Sequence, residues 1–269
     1  MKRFQYNNLT VGSDPEFFIT NKKGRLVSSI GVIEGSKYEP QKLALLGAGF
    51  AIQTDNVLGE FNIPCSTTAH EAANSIAIMK AYISGFLSGK DLLPKYMASG
   101  TFENEELNSA EARMFGCSPD YNAWTEDVNF KPDGNSTKLR SAGCHFHVGY
   151  DNPGETESLN VIKALDLFLG VPSIMIDSDT KRRSLYGKSG CFRFCEFGCE
   201  YRTMSGFMLS SNKLTKWCFD QIFIAIKYLN EYGIDEIQSD SEMIQETIND
   251  GNSELASILI EKYNINIKY

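Results

Sequence analysis

Four short segments of this sequence alternate polar and apolar residues, and in all four the polar positions hold charged or metal-ligating side chains. Side chains of a β-strand point alternately to its two faces, so residues two apart share a face. The polar pairs are Asp14 and Glu16, Glu60 and Asn62, His145 and His147, and Glu200 and Arg202. Residues between and beside these pairs are mostly apolar, for example Phe17, Phe61, Phe146 and Tyr201. The pattern predicts a sheet with one face in the core and the other face reserved for chemistry.

The order of the predicted elements indicates an α+β fold with a mainly antiparallel sheet backed by helices, because strand candidates come in pairs and do not alternate singly with helices. The predicted strands are residues 14–20, 25–30, 50–54, 57–63, 138–150, 191–194 and 198–204. The predicted helices are about 67–88, 155–170, 211–231 and 241–262. Gly170 and Pro172 are expected to end the second helix. No linker or repeat interrupts the chain, so residues 1–269 are predicted to form a single domain that includes the C-terminal helices, about 211–262.

The polar face is rich in ligands for divalent cations. Several carboxylates packed on one sheet face repel each other strongly unless a cation offsets their charge. A set dominated by carboxylates with one or two imidazoles favours Mg²⁺ or Mn²⁺ over the closed Cys/His site of a structural zinc. Each pair alone could instead be structural, as two histidines on a sheet or a surface ion pair. Their coincidence on four strands favours a metal site.

A basic, glycine-punctuated loop supplies positive charge to a chain that is otherwise acidic. Its cations are Lys181, Arg182, Arg183, Lys188 and Arg193. Such a loop can close over a polyphosphate and neutralise its charge, although a run of this kind is also common as a solvated loop. Neither G-x-x-x-x-G-K-[ST] nor a strand followed by G-x-G-x-x-G occurs, which excludes Walker and Rossmann nucleotide sites.

Charge and hydropathy exclude other classes of protein. The net charge of −8, with no stripe of Lys and Arg, argues against binding to extended nucleic acid. The longest apolar stretches are about ten residues, short of the roughly twenty that span a membrane, and the polar N-terminus lacks an export signal. We therefore expect a cytoplasmic protein without a membrane partner. The odd number of scattered cysteines, 7 in all, is typical of reduced thiols.

Six motifs, in order, resemble the phage-encoded carboxylate-amine ligase family, type 2, also called amidoligases. This family is distantly related to glutamine synthetase and glutamate-cysteine ligase. The motifs are GSDPEFF at 12–18, DNVLGEFNIP at 55–64, GCSPDYNAW at 116–124, LRSAGCHFH at 139–147, RSLYGKSGCFR at 183–193 and GCEYRTMS at 198–205. The resemblance implies an antiparallel sheet whose concave face carries metal-bound ATP. It also implies the host cytoplasm as the location, if the chain is phage-encoded.

The resemblance also implies roles for the paired residues. Asp14 and Glu16 correspond to acidic ligands that each face one of two metal ions, and Glu60 to the acidic ligand on the next strand. His145 and Glu200 correspond to the histidine and carboxylate of the second metal site. His147, Asn62, Asp55 and Arg140 are further candidates. Asp55 has the wrong strand parity to join Glu60 unless the strand bulges at Gly59, and Cys144 stands where a second glycine is expected.

The chemistry that follows is an ATP-dependent ligation, in which the basic loop and one further arginine, Arg202, bind phosphate. Arg193 and Arg202 correspond to arginines that contact the phosphate or an acyl phosphate, and with Glu200 they form the predicted catalytic set. A substrate carboxylate would be phosphorylated by Mg²⁺-bound ATP, and an amine would then attack the acyl phosphate. No covalent enzyme nucleophile is required.

Two other functions use the same residues. A metal-dependent hydrolase or phosphodiesterase could employ the same carboxylates and histidines, and a non-catalytic phage protein could retain the fold as a binding module. For a ligase, the partners are a small-molecule or peptide carboxylate and an amine, with a homo-oligomer as a further expectation. Substrate specificity is expected to come from the irregular region 90–138, including Asp120, Tyr121 and Trp124, and from the C-terminal helices.

Overall fold

A computed structural model describes residues 4–114, 120–129 and 133–269 of the chain. Within these ranges the strands are β1 (Thr10–Ser13), β2 (Glu16–Asn21), β3 (Leu26–Val27), β4 (Gln41–Lys42), β5 (Ala51–Asp55), β6 (Leu58–Asn62), β7 (Leu92–Lys95), β8 (Ser99–Thr101), β9 (Tyr121–Asn122), β10 (Leu139–Ser141), β11 (Phe146–Gly149), β12 (Cys191–Cys195) and β13 (Gly198–Tyr201). The α-helices are α1 (Ala69–Ser88), α2 (Ala110–Arg113), α3 (Glu155–Leu165), α4 (Val171–Ile176), α5 (Asn212–Tyr232), α6 (Asp235–Ser239), α7 (Ser241–Asp250) and α8 (Ser253–Lys262).

The strands form two larger sheets and a short ribbon, and every pairing between these strands is antiparallel. The first sheet has the order β1–β11–β13–β12–β9, and the second has the order β3–β2–β6–β5–β4, with β7 also paired to β2. Strands β8 and β10 form the ribbon. Helices α1, α3 and α5 pack together, and the ring of Phe146 on β11 lies edge-on against Phe219 of α5, with centroids 5.2 Å apart. The predicted α+β fold with a mainly antiparallel sheet is confirmed.

One predicted strand begins later than expected and another breaks, both at the same place. The predicted strand 14–20 begins only at Glu16, as β2, after a proline that lacks the N–H a ladder needs, and a separate strand, β1, ends before it at Ser13. Residues 138–150 are split between β10 and β11. The Ser13 hydroxyl donates to the His145 carbonyl at 2.5 Å, and the Glu16 N–H donates to the Gly143 carbonyl at 2.9 Å. Both segments therefore pass from one set of strands to another at this crossing.

The predicted end of the second helix at Gly170 is wrong. The helical run continues from Glu155 to Ile176, because a five-residue π-helical turn, Asp166–Gly170, joins α3 to α4. Gly170 has helical dihedral angles, and Pro172 lies in the first turn of α4, where a missing N–H is tolerated. In the described part of the chain this is the one helical run long and apolar enough to cross a membrane, but 72% of its most apolar window is buried inside the protein, as in a core helix.

Local signals set the other helix boundaries. Thr68 caps α1 by accepting from the Glu71 N–H, and Ser211 caps α5 by accepting from the Leu214 N–H, so both predicted helices start close to the expected residues. The predicted helix 241–262 is instead two helices, α7 and α8. Gly251 has a positive φ of 68° and ends α7 in the left-handed conformation, after which Asn252 caps α8.

Candidate active site

Residues from three distant segments meet at the crossing of the strands. The His145 Nδ1 atom lies 3.4 Å from Asp14 Oδ1 and 3.5 Å from Glu200 Oε1. The His147 Nε2 atom lies 3.3 Å from the same Asp14 oxygen. The ligand atoms of Asp14, His145 and Glu200 lie within 4.8 Å of one another, and the last two residues are buried. The structure thus brings together three residues that the alternating pattern singles out as metal ligands.

The two imidazoles determine the electrostatics around Asp14. Burial by itself would raise the pKa of Asp14, but the adjacent His147 and His145 outweigh it and hold that pKa well below its usual range. Burial also opposes a charge on His147, yet the Asp14 carboxylate raises the pKa of that imidazole. Asp14 is therefore an anion over the whole neutral pH range.

A second group of carboxylates lies on the neighbouring sheet. Glu16 and Glu60 are directly opposite each other on β2 and β6, and the Gln53 amide donates to Glu60 at 2.9 Å. Burial, followed by the Asp55 charge, raises the pKa of Glu16. Burial and the charges of Asp14, Asp55 and Glu16 raise the pKa of Glu60 well above its usual range. Asp55 joins this group from β5, across the hairpin, so no bulge at Gly59 is needed.

Two arginines face the carboxylates from β12 and from the end of β13. The Arg202 Nε atom lies 2.7 Å from Asp120 Oδ1, and its Nη1 atom forms an ion pair with Glu200. Arg193 lies 3.8 Å from Glu200 and 3.7 Å from Asp120. Burial of Arg202 is outweighed by the charges of Glu200 and Asp120, which raise its pKa. Both guanidiniums are held in fixed positions by acids on either side.

The first group of residues has the donor chemistry of a divalent-cation site. Asp14 Oδ1 is buried and makes no hydrogen bond of good geometry, although two ring nitrogens lie within 3.4 Å. A carboxylate oxygen that is exposed neither to water nor to a well-aligned donor suits a cation. Carboxylates and imidazole in this ratio fit Mg²⁺ or Mn²⁺. The described cysteines are free thiols, as the sequence predicts, and none belongs to this cluster.

Some of these groups line an open pocket of about 650 Å³, part of which is solvent, whereas Asp14, Glu60, His147 and Glu200 do not line it. The predicted residues that line it are Glu16, Asp55, Asp120, Arg140, His145, Arg182, Arg193 and Arg202. The sequence analysis missed Lys37, Met114 and Tyr186, which also line it. These three come from irregular segments with no periodic pattern. Gly31 and Gly35, which both precede Lys37, and the position of Tyr186 inside the basic loop are the signals that could have drawn attention to two of them.

The basic loop does not present most of its cations to the pocket. Arg182 borders the pocket, but its guanidinium donates to the carbonyls of Thr203, at 2.6 Å, and Arg202. Arg183 donates to the Asp179 carbonyl and the Ser173 hydroxyl, and Lys188 to the Asn249 carbonyl. Lys181 is exposed and does not line the pocket. These four side chains were predicted to bind phosphate, whereas the contacts of three of them fasten the loop to the protein.

Three other predicted positions also have structural contacts. Arg140 is buried at 2% exposure and donates to four carbonyl oxygens, among them those of Thr137 and Ala112. Asn62 pairs with Ala51 at the end of β6 and does not line the pocket. The indole N–H of Trp124 donates to Asp166 in the core. Residues 116–119 of the third motif lie outside the described residues.

Comparison with known proteins gives a family and several distant structures. The family described as "Phage phiEco32-like COOH.NH2 ligase-type 2" matches residues 121–267, more than half of the chain. No curated protein matches the sequence. A glutamine synthetase of Plasmodium falciparum is similar over 82% of this chain and 52% of its own, with a TM-score of 0.45 and 10% identity. A ligand-free GmaS is similar over 95% of this chain and 69% of its own, with a TM-score of 0.41 and 12% identity. A GmaS/ADP complex gives a TM-score of 0.38 at 11% identity. The chain spans about half the length of the glutamine synthetase chain.

Proposed function

This chain belongs to the phage phiEco32-like COOH.NH2 ligase-type 2 family, and on that premise we propose that it joins a carboxylate to an amine through an acyl phosphate made from ATP. The observation that supports this most directly is that two guanidiniums, Arg193 and Arg202, line one pocket with Glu16 and His145 and form ion pairs with Glu200. A phosphoryl-transfer site needs both a place for cations and fixed positive groups. We also propose that the whole 269-residue chain forms one catalytic domain, and that it acts in the cytoplasm.

Two cation positions are proposed. Asp14, His145 and Glu200 would hold one ion, and Glu16 with Glu60 would hold the other, with Asp55 beside them. Bound Mg²⁺ or Mn²⁺ would offset the negative charge of the ATP phosphates. Without such charge, the buried acids of the second group destabilise one another, as the raised pKa of Glu60 indicates.

The arginines would act on the phosphoryl group as it moves. Asp120 and Glu200 hold Arg202 from two sides, so its guanidinium needs no rearrangement when charge develops on the transferring group. Arg193 would contribute a second set of donors. A substrate carboxylate oxygen attacks the γ-phosphorus and ADP leaves; the amine nitrogen then attacks the acyl carbon, inorganic phosphate leaves, and the amine gives up a proton. The products are an amide, ADP and phosphate.

The test measures ADP release and product together. The protein is incubated with ATP, Mg²⁺, a panel of amino acids or short peptides as carboxylates, and hydroxylamine as a general amine that converts an acyl phosphate to a hydroxamate. We expect hydroxamate and ADP in equal amounts in the wild type, and a large loss in Glu16→Gln, His145→Ala and Glu200→Gln. His70→Ala, which removes the exposed histidine of α1, is the matched control and keeps its activity.

Two results would contradict the proposal. Wild-type turnover in all three site variants would show that these residues do not carry the reaction. If ATP with Mg²⁺ gives no thermal stabilisation, the protein does not bind ATP, because a ligand that binds the folded state must stabilise it. Hydrolysis of a phosphoester without ATP would favour a hydrolase.

A further inference from the structure

A buried carboxylate lies in the core, away from the pocket, and accepts hydrogen bonds from the segments that form the pocket. Asp166 is 0% exposed and opens the π-helical turn between α3 and α4. Its Oδ2 atom accepts from the indole N–H of Trp124 at 2.7 Å and from the Gly190 N–H at 2.6 Å. Its Oδ1 atom accepts from the hydroxyls of Tyr201 at 2.8 Å and Thr203 at 3.4 Å. A single side chain thus holds four donors.

Each donor belongs to a segment that carries a charged residue of the pocket. Trp124 lies four residues after Asp120, and Gly190 lies three residues before Arg193. The two hydroxyl donors flank Arg202, whose guanidinium points to the opposite face and meets Asp120 at 2.7 Å. Because successive side chains of a strand point to opposite faces, Arg202 points towards the pocket when Tyr201 and Thr203 on either side of it point towards Asp166.

Contacts between the three segments close the network. The Ala123 N–H donates to the Gly190 carbonyl at 2.9 Å, and the Thr203 hydroxyl divides its single hydrogen between the Lys188 carbonyl, at 2.9 Å, and Asp166 Oδ1, at 3.4 Å. Gly190 has a positive φ of 71°, and a Cβ there would come within 2.6 Å of Asn122 Oδ1. The segment of residues 122–124 therefore packs closely against the backbone at Gly190.

We propose that Asp166 is a positioning residue of the ligation: by binding three segments from behind the sheet, it fixes Asp120, Arg193 and Arg202 relative to one another. This inference rests on the proposed function, because it assigns those three residues to the phosphoryl-transfer step. π-Helical turns inside α-helices are frequent at functional sites.

The geometry separates two substitutions of nearly the same size. In Asp166→Asn, the amide oxygen can still accept from Trp124 and Gly190, while the amide N–H₂ can donate to the Tyr201 and Thr203 hydroxyls, which also accept. In Asp166→Leu, the donors of Trp124, Gly190 and Tyr201 lose their acceptor, and the Thr203 hydroxyl retains only the Lys188 carbonyl. The asparagine variant therefore retains the arrangement of the segments, and the leucine variant does not.

The test combines two measurements on each variant. Steady-state kinetics of ADP release give kcat and KM, and NMR of ¹⁵N-labelled protein follows the indole N–H resonances. The chain has two tryptophans, so the Trp124 indole N–H is the resonance missing from Trp124→Phe. A displacement of about 1 Å at an active site can cost about a hundredfold in rate. We expect Asp166→Leu to lower kcat about tenfold to a hundredfold, with little change in the KM for ATP, and to shift the Trp124 resonance. Asp166→Asn should keep both kcat and the Trp124 resonance closer to their wild-type values, and Trp124→Phe should lower kcat by less than Asp166→Leu does.

Ile248→Ala is the control for simple destabilisation. Ile248 packs against the same helical run at Gly170 but makes no hydrogen bond to Asp166, so this variant should lower the melting temperature without the loss in kcat. Wild-type kcat in folded Asp166→Leu would overturn the inference, as would equal losses in the asparagine and leucine variants. If the leucine variant does not fold, an unchanged kcat in Trp124→Phe overturns it. If the wild type releases no ADP, the proposed function fails, whereas a shifted Trp124 resonance in Asp166→Leu still shows the hydrogen-bonded network.

Discussion

Replacement of Asp166 by asparagine should change how the stability of the protein depends on pH. Asp166 is fully buried, and burial raises its pKa from an ordinary 3.8 to about 7, although hydrogen bonds from Trp124, Tyr201 and Gly190 oppose the shift. The unfolded chain therefore loses this proton near pH 3.8, while the folded chain retains it until about pH 7. Between these values the folded state binds more protons, so this group makes stability fall as the pH rises.

The magnitude follows from the size of the shift. A shift of about three pKa units corresponds to about 4 kcal/mol of unfolding free energy, spread over the window from about pH 4 to pH 7. About 3 kcal/mol of this should be lost between pH 5 and pH 8. Asp166→Asn does not titrate, so the unfolding free energy of the wild type minus that of the variant should fall by this amount over the same interval.

Urea denaturation of both proteins, followed by circular dichroism at several pH values, measures the difference directly. Taking the difference cancels the titration of all other groups. Asp250→Asn is the matched control, since Asp250 is exposed at the end of α7. A difference that is flat or that rises with pH would contradict this prediction, because the hydrogen-bond donors would then stabilise the carboxylate at least as much as burial destabilises it.

Three further changes test the packing, the arginines and the cations. Gly59→Ala should lower the unfolding free energy by about 1–3 kcal/mol in urea denaturation, because the added Cβ would lie 2.3 Å from Phe17 Cζ. Arg193→Ala should lower the kcat of ADP release about a hundredfold, whereas Arg183→Ala, which removes contacts inside the loop, should lower the melting temperature without raising the KM for ATP. Saturating Mg²⁺ or Mn²⁺ without nucleotide should raise the melting temperature of the wild type by about 5 °C, and Asp14→Asn should reduce that rise.

Each of these expectations has a contrary outcome. If Gly59→Ala leaves the unfolding free energy unchanged, the Phe17 ring beside it can move aside freely. If Arg193→Ala and Arg183→Ala raise the KM for ATP equally, Arg183 of the basic loop binds phosphate after all. A melting temperature insensitive to both metals, in the wild type as in the variant, would count against a cation at the imidazole and carboxylate cluster.

The alternating pattern was sufficient to single out side chains that lie close together, because strand periodicity is a local property of the sequence. Glu16 lies opposite Glu60, and His145 lies beside Glu200, even though the predicted strand 138–150 breaks. The partner of Arg202 could not be predicted in the same way. Asp120 lies 82 residues away in an irregular segment, and no period relates the two.

The basic loop and the second helix show why other features escaped prediction. A run of positive charge does not reveal whether its donors meet a ligand or a backbone carbonyl, and Arg183 and Lys188 meet the latter. Gly170 and Pro172 are ordinary helix-ending signals, but tertiary packing around the π-helical turn overrides them. Gly170 allows Tyr201 to approach, since a Cβ there would lie 2.7 Å from its hydroxyl.

The crossing at Pro15 has a consequence for cooperativity. Asp14 directly follows β1 of the first sheet, and Glu16 begins β2 of the second, so an ion-bound nucleotide that contacts both acids would span the two sheets. Opening of either sheet alone would then release the ligand. Bound ligand should therefore slow amide hydrogen exchange in β11 and β13 of the first sheet and in β5 and β6 of the second sheet by a common factor, because the ligand-bound protein opens as one unit.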